Sequence, residues 1–222
     1  MLKKLFTTAA SNKTFNILAK KTKADMQFEQ AGQFIINKLR TEVPAQFTYH
    51  NIEHTLDVRQ AAEQISKQED ITDDELQLLL TAALFHDSGF LKCAKGHEAE
   101  SCRIAREILP AYDYNATEID LICGMIMATQ LPQTPKTHLE QILADADLDY
   151  LGRNDFFVIG GKLYHELTLV DAISDELEWN YSQLDFMEKH RYFTKTAINL
   201  RRPKKLDNIA KIKALLLNKN IK

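Results

Sequence analysis

Histidine and aspartate concentrate at three separated places in this chain: Tyr49-His50-Asn51-Ile52-Glu53-His54, Leu84-Phe85-His86-Asp87 and Asp145-Ala146-Asp147-Leu148-Asp149. A His-Asp pair at the end of an apolar helix is costly to bury, because polar and charged groups lose solvation there. A divalent cation offsets that cost. Two neutral imidazoles and two carboxylates make a mixed nitrogen and oxygen shell suited to Zn, Mn, Fe, Ni, Co or Mg, and less to metals selected by thiolate. A cation held this way lowers the pKa of bound water towards ~7 and offsets charge on a phosphoryl oxygen. Each piece alone is commonplace. A lone His-Asp dipeptide is usually a satisfied pair, two histidines four residues apart arise by chance, and three spaced aspartates can be a solvated turn. The signal lies in their order and setting, with paired histidines opening one helix, His-Asp closing an apolar helix and an aspartate cluster inside a third.

Helices must carry these groups. From Thr72 to Asp87 the residues Leu76, Leu79, Leu80, Ala83 and Leu84 recur at three- and four-residue spacing, which predicts an apolar stripe against a core. Comparable patterns run from Thr55 to Ile65, His97 to Leu109, Thr117 to Met127 and Thr137 to Leu151. Thr72 with Glu75, and Thr137 with Glu140, have capping-box spacing, and Gly152 is placed to close the helix that Thr137 starts. Phe156 to Ile159 reads as a weak strand-like exception. With seven glycines and five prolines in 222 residues and no repeat or linker, the chain predicts an all-α fold. We expect a single helical bundle over residues 1–222, with a core at 48–152, N-terminal helices at 1–47 and a C-terminal helical extension at 153–222 that packs over the mouth of the core.

The spacing also resembles a known family. His54, His86-Asp87 and a later aspartate follow the H…HD…D pattern of the HD-domain metal-dependent phosphohydrolase superfamily, over about residues 48 to 152. Tyr49-His50-Asn51-Ile52-Glu53-His54-Thr55-Leu56-Asp57-Val58 further resembles the YHNxxHxxDV signature of class I cyclic-nucleotide phosphodiesterases. The resemblance implies an HD-type bundle in which His54, His86 and Asp87 bind metal and His50 donates a proton to the leaving oxygen. The family's last aspartate usually follows an alanine, and both Asp145 and Asp147 do so here. Residues two apart on a helix project about 200° apart, so only one can face the metal; Asp145 is the preferred candidate. His97 resembles the histidine that supplies a second metal in binuclear members, with Asp87 bridging the two ions. Phe90 stands where the HD-GYP subgroup has lysine, and no GYP element follows, which disfavours that subgroup's cyclic dinucleotide chemistry.

Composition narrows the partners. The formal net charge of -3 gives no general case for nucleic-acid binding, although Lys3, Lys4, Lys13, Lys20, Lys21 and Lys23 all precede the first acidic residue, Asp25. No run approaches the ~18 apolar residues that span a bilayer. Three cysteines without CxxC spacing indicate neither a disulfide framework nor a sulfur-rich zinc site, and fit the cytoplasm. The expected partner is a small phosphorylated molecule of nucleotide type, and a homodimer stays open. Lys92 and Lys95 in the loop before His97, Arg153 after Gly152, and Arg191 and Arg201 are the candidate phosphate contacts. Trp179, Tyr192 and Phe193 are candidates to stack a base. The rival to an enzyme is a non-catalytic HD module that senses a nucleotide and signals through its C-terminal helices. A third reading is hydrolysis of a substrate without phosphorus.

Overall fold

The structure, a computed structural model, describes residues 27–219. The basic segment between Lys3 and Lys23, and most of the span expected to hold N-terminal helices, lie outside the described residues. Nine α-helices follow one another within them: α1 (Phe28–Glu42), α2 (Ile52–Ser66), α3 (Asp73–Phe85), α4 (His97–Ile108), α5 (Ala116–Ala128), α6 (His138–Asp147), α7 (Phe156–Leu169), α8 (Glu176–Lys189) and α9 (Lys195–Lys219). Short 3₁₀ turns at Ser88–Leu91, Leu109–Tyr112 and Asp149–Gly152 join some of them, and no strand occurs among the described residues.

Helix α3 is the axis of the bundle. Its neighbours are α1, α2, α4, α5 and α6, so every residue from Leu78 to Phe85 is buried and not merely one stripe. A helix apolar on all sides needs partners on all sides. The main core gathers Ile35 and Leu39 of α1, Val58 and Ile65 of α2, Ile122 and Ile126 of α5, and Ile142 and Leu143 of α6 around it. The starts of these helices follow from local chemistry. Thr72 and Thr137 each accept from the backbone three residues on, while Glu75 and Glu140 reach back to the cap residue, satisfying backbone donors that a helix start leaves free. Asn115 and Glu118 do the same for α5.

Two boundaries differ from the sequence expectation. Helix α6 ends at Asp147, not beside Gly152, and a 3₁₀ turn takes up Asp149–Gly152. Phe156 to Ile159 is the first turn of α7, not a strand; four apolar residues cannot distinguish the two periods, and here Phe156 is buried while Phe157 and Val158 face solvent.

The last three helices form a second layer over one end of the core. Leu148, Leu151, Phe156, Met187, Ile212 and Leu216 make its own apolar cluster. Helix α9 lies so close to the Asp149–Gly152 turn that a Cβ at residue 152 would sit 2.4 Å from the Arg201 carbonyl oxygen, so glycine is required there. Arg201 Nε donates to Asp149 Oδ1 at 2.6 Å, and Arg153 Nη1 lies 3.5 Å from Oδ2 of the same carboxylate, which is 2% exposed. Among the described residues no helix is long and apolar enough to cross a membrane. Removing the main counter-charge of a buried carboxylate destabilises a fold, so Arg201→Ala should lower unfolding free energy by about 1 to 3 kcal/mol. Urea denaturation monitored by circular dichroism measures this, and an unchanged midpoint would contradict the role given to the pair.

Candidate metal centre

His54 reaches the interior because of how α2 begins. Asn51 caps the helix, its side chain accepting from Glu53 N at 3.0 Å and His54 N at 3.3 Å while its amide donates to the Phe47 and Thr48 carbonyls. His54 therefore sits in the first turn, aimed at the end of α3. His50 precedes the cap, so the two histidines do not share a helix face; their rings stand 84° apart with centroids at 6.0 Å.

His86 ends α3 and Asp87 opens the following turn. His86 Nδ1 donates to the Ala83 carbonyl at 2.8 Å, which turns Nε2 and its lone pair inward. His97, at the start of α4, is held the same way, Nδ1 donating to the Ala94 carbonyl at 2.9 Å. Close approach of α4 to this turn is possible only because residue 89 is glycine; a Cβ there would meet the His97 carbonyl oxygen at 2.0 Å.

The structure brings His54, His86 and Asp147 together. One donor atom from each lies within 4.8 Å of the others. Nε2 of His54 is 3.4 Å from Nε2 of His86 and 3.2 Å from Asp147 Oδ1. Asp87 completes the group, Oδ2 lying 3.4 Å from His54 Nε2 and 3.3 Å from His86 Nε2, while Oδ1 lies 3.3 Å from His97 Nε2. Asp87 Oδ2 is buried yet accepts no hydrogen bond. Nitrogen and oxygen ligands on a cation about 2.0 to 2.2 Å from each sit about 3 to 3.5 Å from one another, the spacing found here. An orphaned carboxylate oxygen facing two inward imidazole nitrogens fits a divalent metal.

The same crowding explains the protonation of these groups. Burial pushes the Asp147 carboxyl up, but hydrogen bonds and charge from His54 and His86 overcome this and hold it at about 2. Burial likewise opposes ionisation of Asp87, and His86, His97 and His50 keep it well below the usual carboxylate range. For His86 burial favours the neutral ring, and Asp87 and Asp147 more than reverse that.

Asp145 requires a correction. The sequence favours it as the fourth ligand, and its carboxylate instead faces the loop before α9. Its carboxylate accepts from Phe193 N and Thr194 N at 2.8 Å each and from the Thr194 hydroxyl at 2.7 Å. Burial raises it to about 6 despite those bonds. It ties the loop before α9 to α6, and Asp147 is the aspartate on the inward face.

The candidate phosphate contacts are also placed elsewhere. A cavity of about 520 Å³ opens above Asp87 and Asp147, lined by residues from His50 round to α8, and among the described residues no lysine or arginine lines it. Arg153 binds Asp57 and Asp155, and Arg201 binds Gln64 and the buried Asp149, so both guanidinium groups are already engaged. Lys92 and Lys95 are exposed and absent from the cavity wall. Arg191 lines a neighbouring groove beyond Leu131 and Phe186. Of the three aromatic residues expected to stack a base, only Trp179 lines the cavity, whereas Tyr192 is buried and its hydroxyl donates to the Leu148 carbonyl.

One residue escaped the sequence reading altogether. Glu166 of α7 is buried; its Oε2 accepts from Tyr49 N at 2.8 Å and His50 N at 3.0 Å, and its Oε1 meets His50 Nδ1. Burial opposes its ionisation, and the bonds from His50 outweigh that and lower its pKa. The His50 ring also stacks on Phe90, centroids 4.2 Å apart and planes 11° apart. With Nδ1 engaged, exchange between His50 and a cavity ligand falls to Nε2. Nothing near Glu166 in sequence marks it, since its partner lies 116 residues away.

Comparison with known proteins agrees with this architecture. Residues 51–149 match the HD domain family. An uncharacterized protein of Clostridium beijerinckii is 37% identical over 84 residues, which cover 36% of this chain; the match spans about half of that relative's length, 53%. Two crystal structures share the fold at 19% identity each. One, a protein described as a predicted HD superfamily hydrolase from an uncultured Thermotogales bacterium, has a TM-score of 0.55 over 86% of this chain and 91% of its own. The other, from Lactobacillus plantarum, has a TM-score of 0.62 over 86% of this chain and 97% of its own. The segment that matches the HD domain family, residues 51–149, carries His54, His86, Asp87 and Asp147, and the two crystal structures share the helical fold around it.

Proposed function

We propose that the chain is a metal-dependent phosphohydrolase that cleaves a phosphoester or phosphoanhydride bond in a nucleotide-like small molecule. One observation carries the reading. Asp87 presents Oδ2 to His54 and His86 and Oδ1 to His97, in the floor of a cavity whose wall holds His50. His54, His86, Asp87 and Asp147 would hold one divalent ion, and Asp87 with His97 a second. Such ions activate water and offset charge on phosphoryl oxygens. The chain's own residues supply the rest. His50, oriented by Glu166 and Phe90, donates a proton from Nε2 to the departing oxygen. Glu166 fixes the tautomer and the orientation of the ring, as a carboxylate behind a catalytic histidine does in other hydrolases. The hydrolase description of the Thermotogales protein agrees in kind.

Metal analysis of the purified protein, followed by assays with Mn or Co on aryl phosphate mono- and diesters and on nucleotides including cyclic ones, tests the reading. Bound metal with turnover supports it. Stoichiometric metal without turnover across the panel would favour a ligand-sensing module instead.

The residue roles separate in two further experiments. A ligand that binds only the folded state stabilises it by about 2.7 kcal/mol at a hundred times its Kd. Divalent metal over chelator should therefore raise the melting temperature by about 5 to 10 °C in the wild type. His86→Ala and Asp147→Ala should abolish this increment, and Asp145→Ala should keep it while melting lower at baseline; the reverse pattern would exchange the two aspartates. His50→Gln should keep its metal and lose about 10²- to 10⁴-fold in kcat, with Glu166→Gln losing about 10- to 100-fold. Unchanged turnover in His50→Gln removes that residue from the mechanism.

A further inference from the structure

The charge of the cavity wall says more about the substrate than the metal cluster does. Around the floor stand three carboxylates, Asp87, Glu98 and Asp147, and two imidazoles, His50 and His97, and among the described residues no lysine or arginine lines the cavity. Two divalent cations against three carboxylates leave about one net positive charge. That compensates one phosphoryl group. Further phosphates would lie against Leu131, Leu163, Leu167, Ile173, Trp179 and Phe186, where the neutral side chains of Thr129, Gln130, Ser182 and Gln183 offer hydrogen bonds but no positive charge to offset the lost hydration. Sites that take polyphosphates surround them with arginine, lysine or backbone donors, and the basic candidates do not line this wall: Arg153 and Arg201 are held by carboxylates, Arg191 lies in a separate groove, and Lys92 and Lys95 are exposed to solvent beside the rim residues Ala94 and Gly96.

Size and composition describe the rest of the ligand. At about 520 Å³ the cavity lies within the ordinary range for a small organic molecule, about 300 to 1,000 Å³. Its walls are mainly aliphatic and aromatic, supplied by the loop after α5 and by α7 and α8, while its floor is charged. Helices α7 and α8 thus build an apolar vault over a polar base. We infer that the site takes a compound with a single phosphate group on a compact apolar or aromatic body, and discriminates against di- and triphosphates. The inference rests on the phosphohydrolase reading for the phosphate end only; the preference for body and charge comes from the wall.

The chain's one tryptophan, Trp179, lines the wall, so its fluorescence reports occupancy without turnover. Three hydrolysis-resistant probes, titrated into the Mg-loaded wild-type protein, separate the two features: benzylphosphonate, methylphosphonate and the β,γ-methylene analogue of ATP. Benzylphosphonate should change Trp179 emission saturably and bind about tenfold or more tightly than methylphosphonate, the low end of what burying one aromatic ring supplies. It should also bind more tightly than the triphosphate analogue. Equal affinity for the two phosphonates, tighter binding of the triphosphate analogue, or no saturable change with any probe would each overturn the inference. Turnover of phenyl phosphate, assayed in parallel, keeps the questions apart: hydrolysis of triphosphates alone would sink this inference and leave the phosphohydrolase intact, whereas the expected binding order without any hydrolysis would sink the phosphohydrolase and leave the wall's preference standing.

Discussion

Two imidazoles and two carboxylates meet inside an apolar bundle, each imidazole nitrogen 3.2 to 3.5 Å from the other and from an oxygen of both carboxylates, and such a group persists only if positive charge sits among them. Without metal, protons supply it, which is why His86 holds its proton so firmly and Asp147 gives its own up. A divalent cation supplies it better, because it satisfies lone pairs from four directions at once while a shared proton satisfies two. Much of the rest of the molecule serves this requirement. Asn51 fixes the turn that aims His54, the Ala83 and Ala94 carbonyls fix the rings of His86 and His97, and Gly89 lets α4 come near enough for His97 to face Asp87.

The two layers divide the labour. The core helices α2, α3 and α6, with the turn that follows α3, contribute the four groups of the cluster and are held by burial, α3 most of all. The C-terminal layer contributes the environment. Helix α7 supplies Glu166 behind His50 and, with α8, the apolar roof. Asp145 links the layers, because its bonds to Phe193 and Thr194 tie the loop before α9 to the helix that carries Asp147. Two aspartates two residues apart thus do opposite work: Asp147 faces the cluster and Asp145 holds the second layer in register.

How much of this the sequence discloses depends on the range of each interaction. Capping boxes at Thr72 and Thr137 are contained in four residues and appear in the structure as the spacing implies. The apolar repeat of α3 gives the helix, though not its complete burial, because periodicity does not count neighbours. His54 and His86-Asp87 are legible from type and setting. The choice between Asp145 and Asp147 is not: helical geometry says that one faces inward, and the groups that claim the other lie 48 and 49 residues further on. The arginines mislead for the same reason, since Asp57 and Asp149, their partners, look like ordinary surface acids in the sequence. Glu166 is the extreme case, a glutamate inside an apolar helix whose purpose is visible only once α7 is laid over His50.

The central claim is that one cation unites four side chains spread over 94 positions, from His54 to Asp147. Anomalous diffraction from crystals grown with Mn tests it directly. The account predicts a peak about 2.0 to 2.2 Å from Nε2 of His54 and His86 and from carboxylate oxygens of Asp87 and Asp147, with none beside Asp145. A peak whose shell includes Asp145, or no peak between His54 and His86, would contradict it.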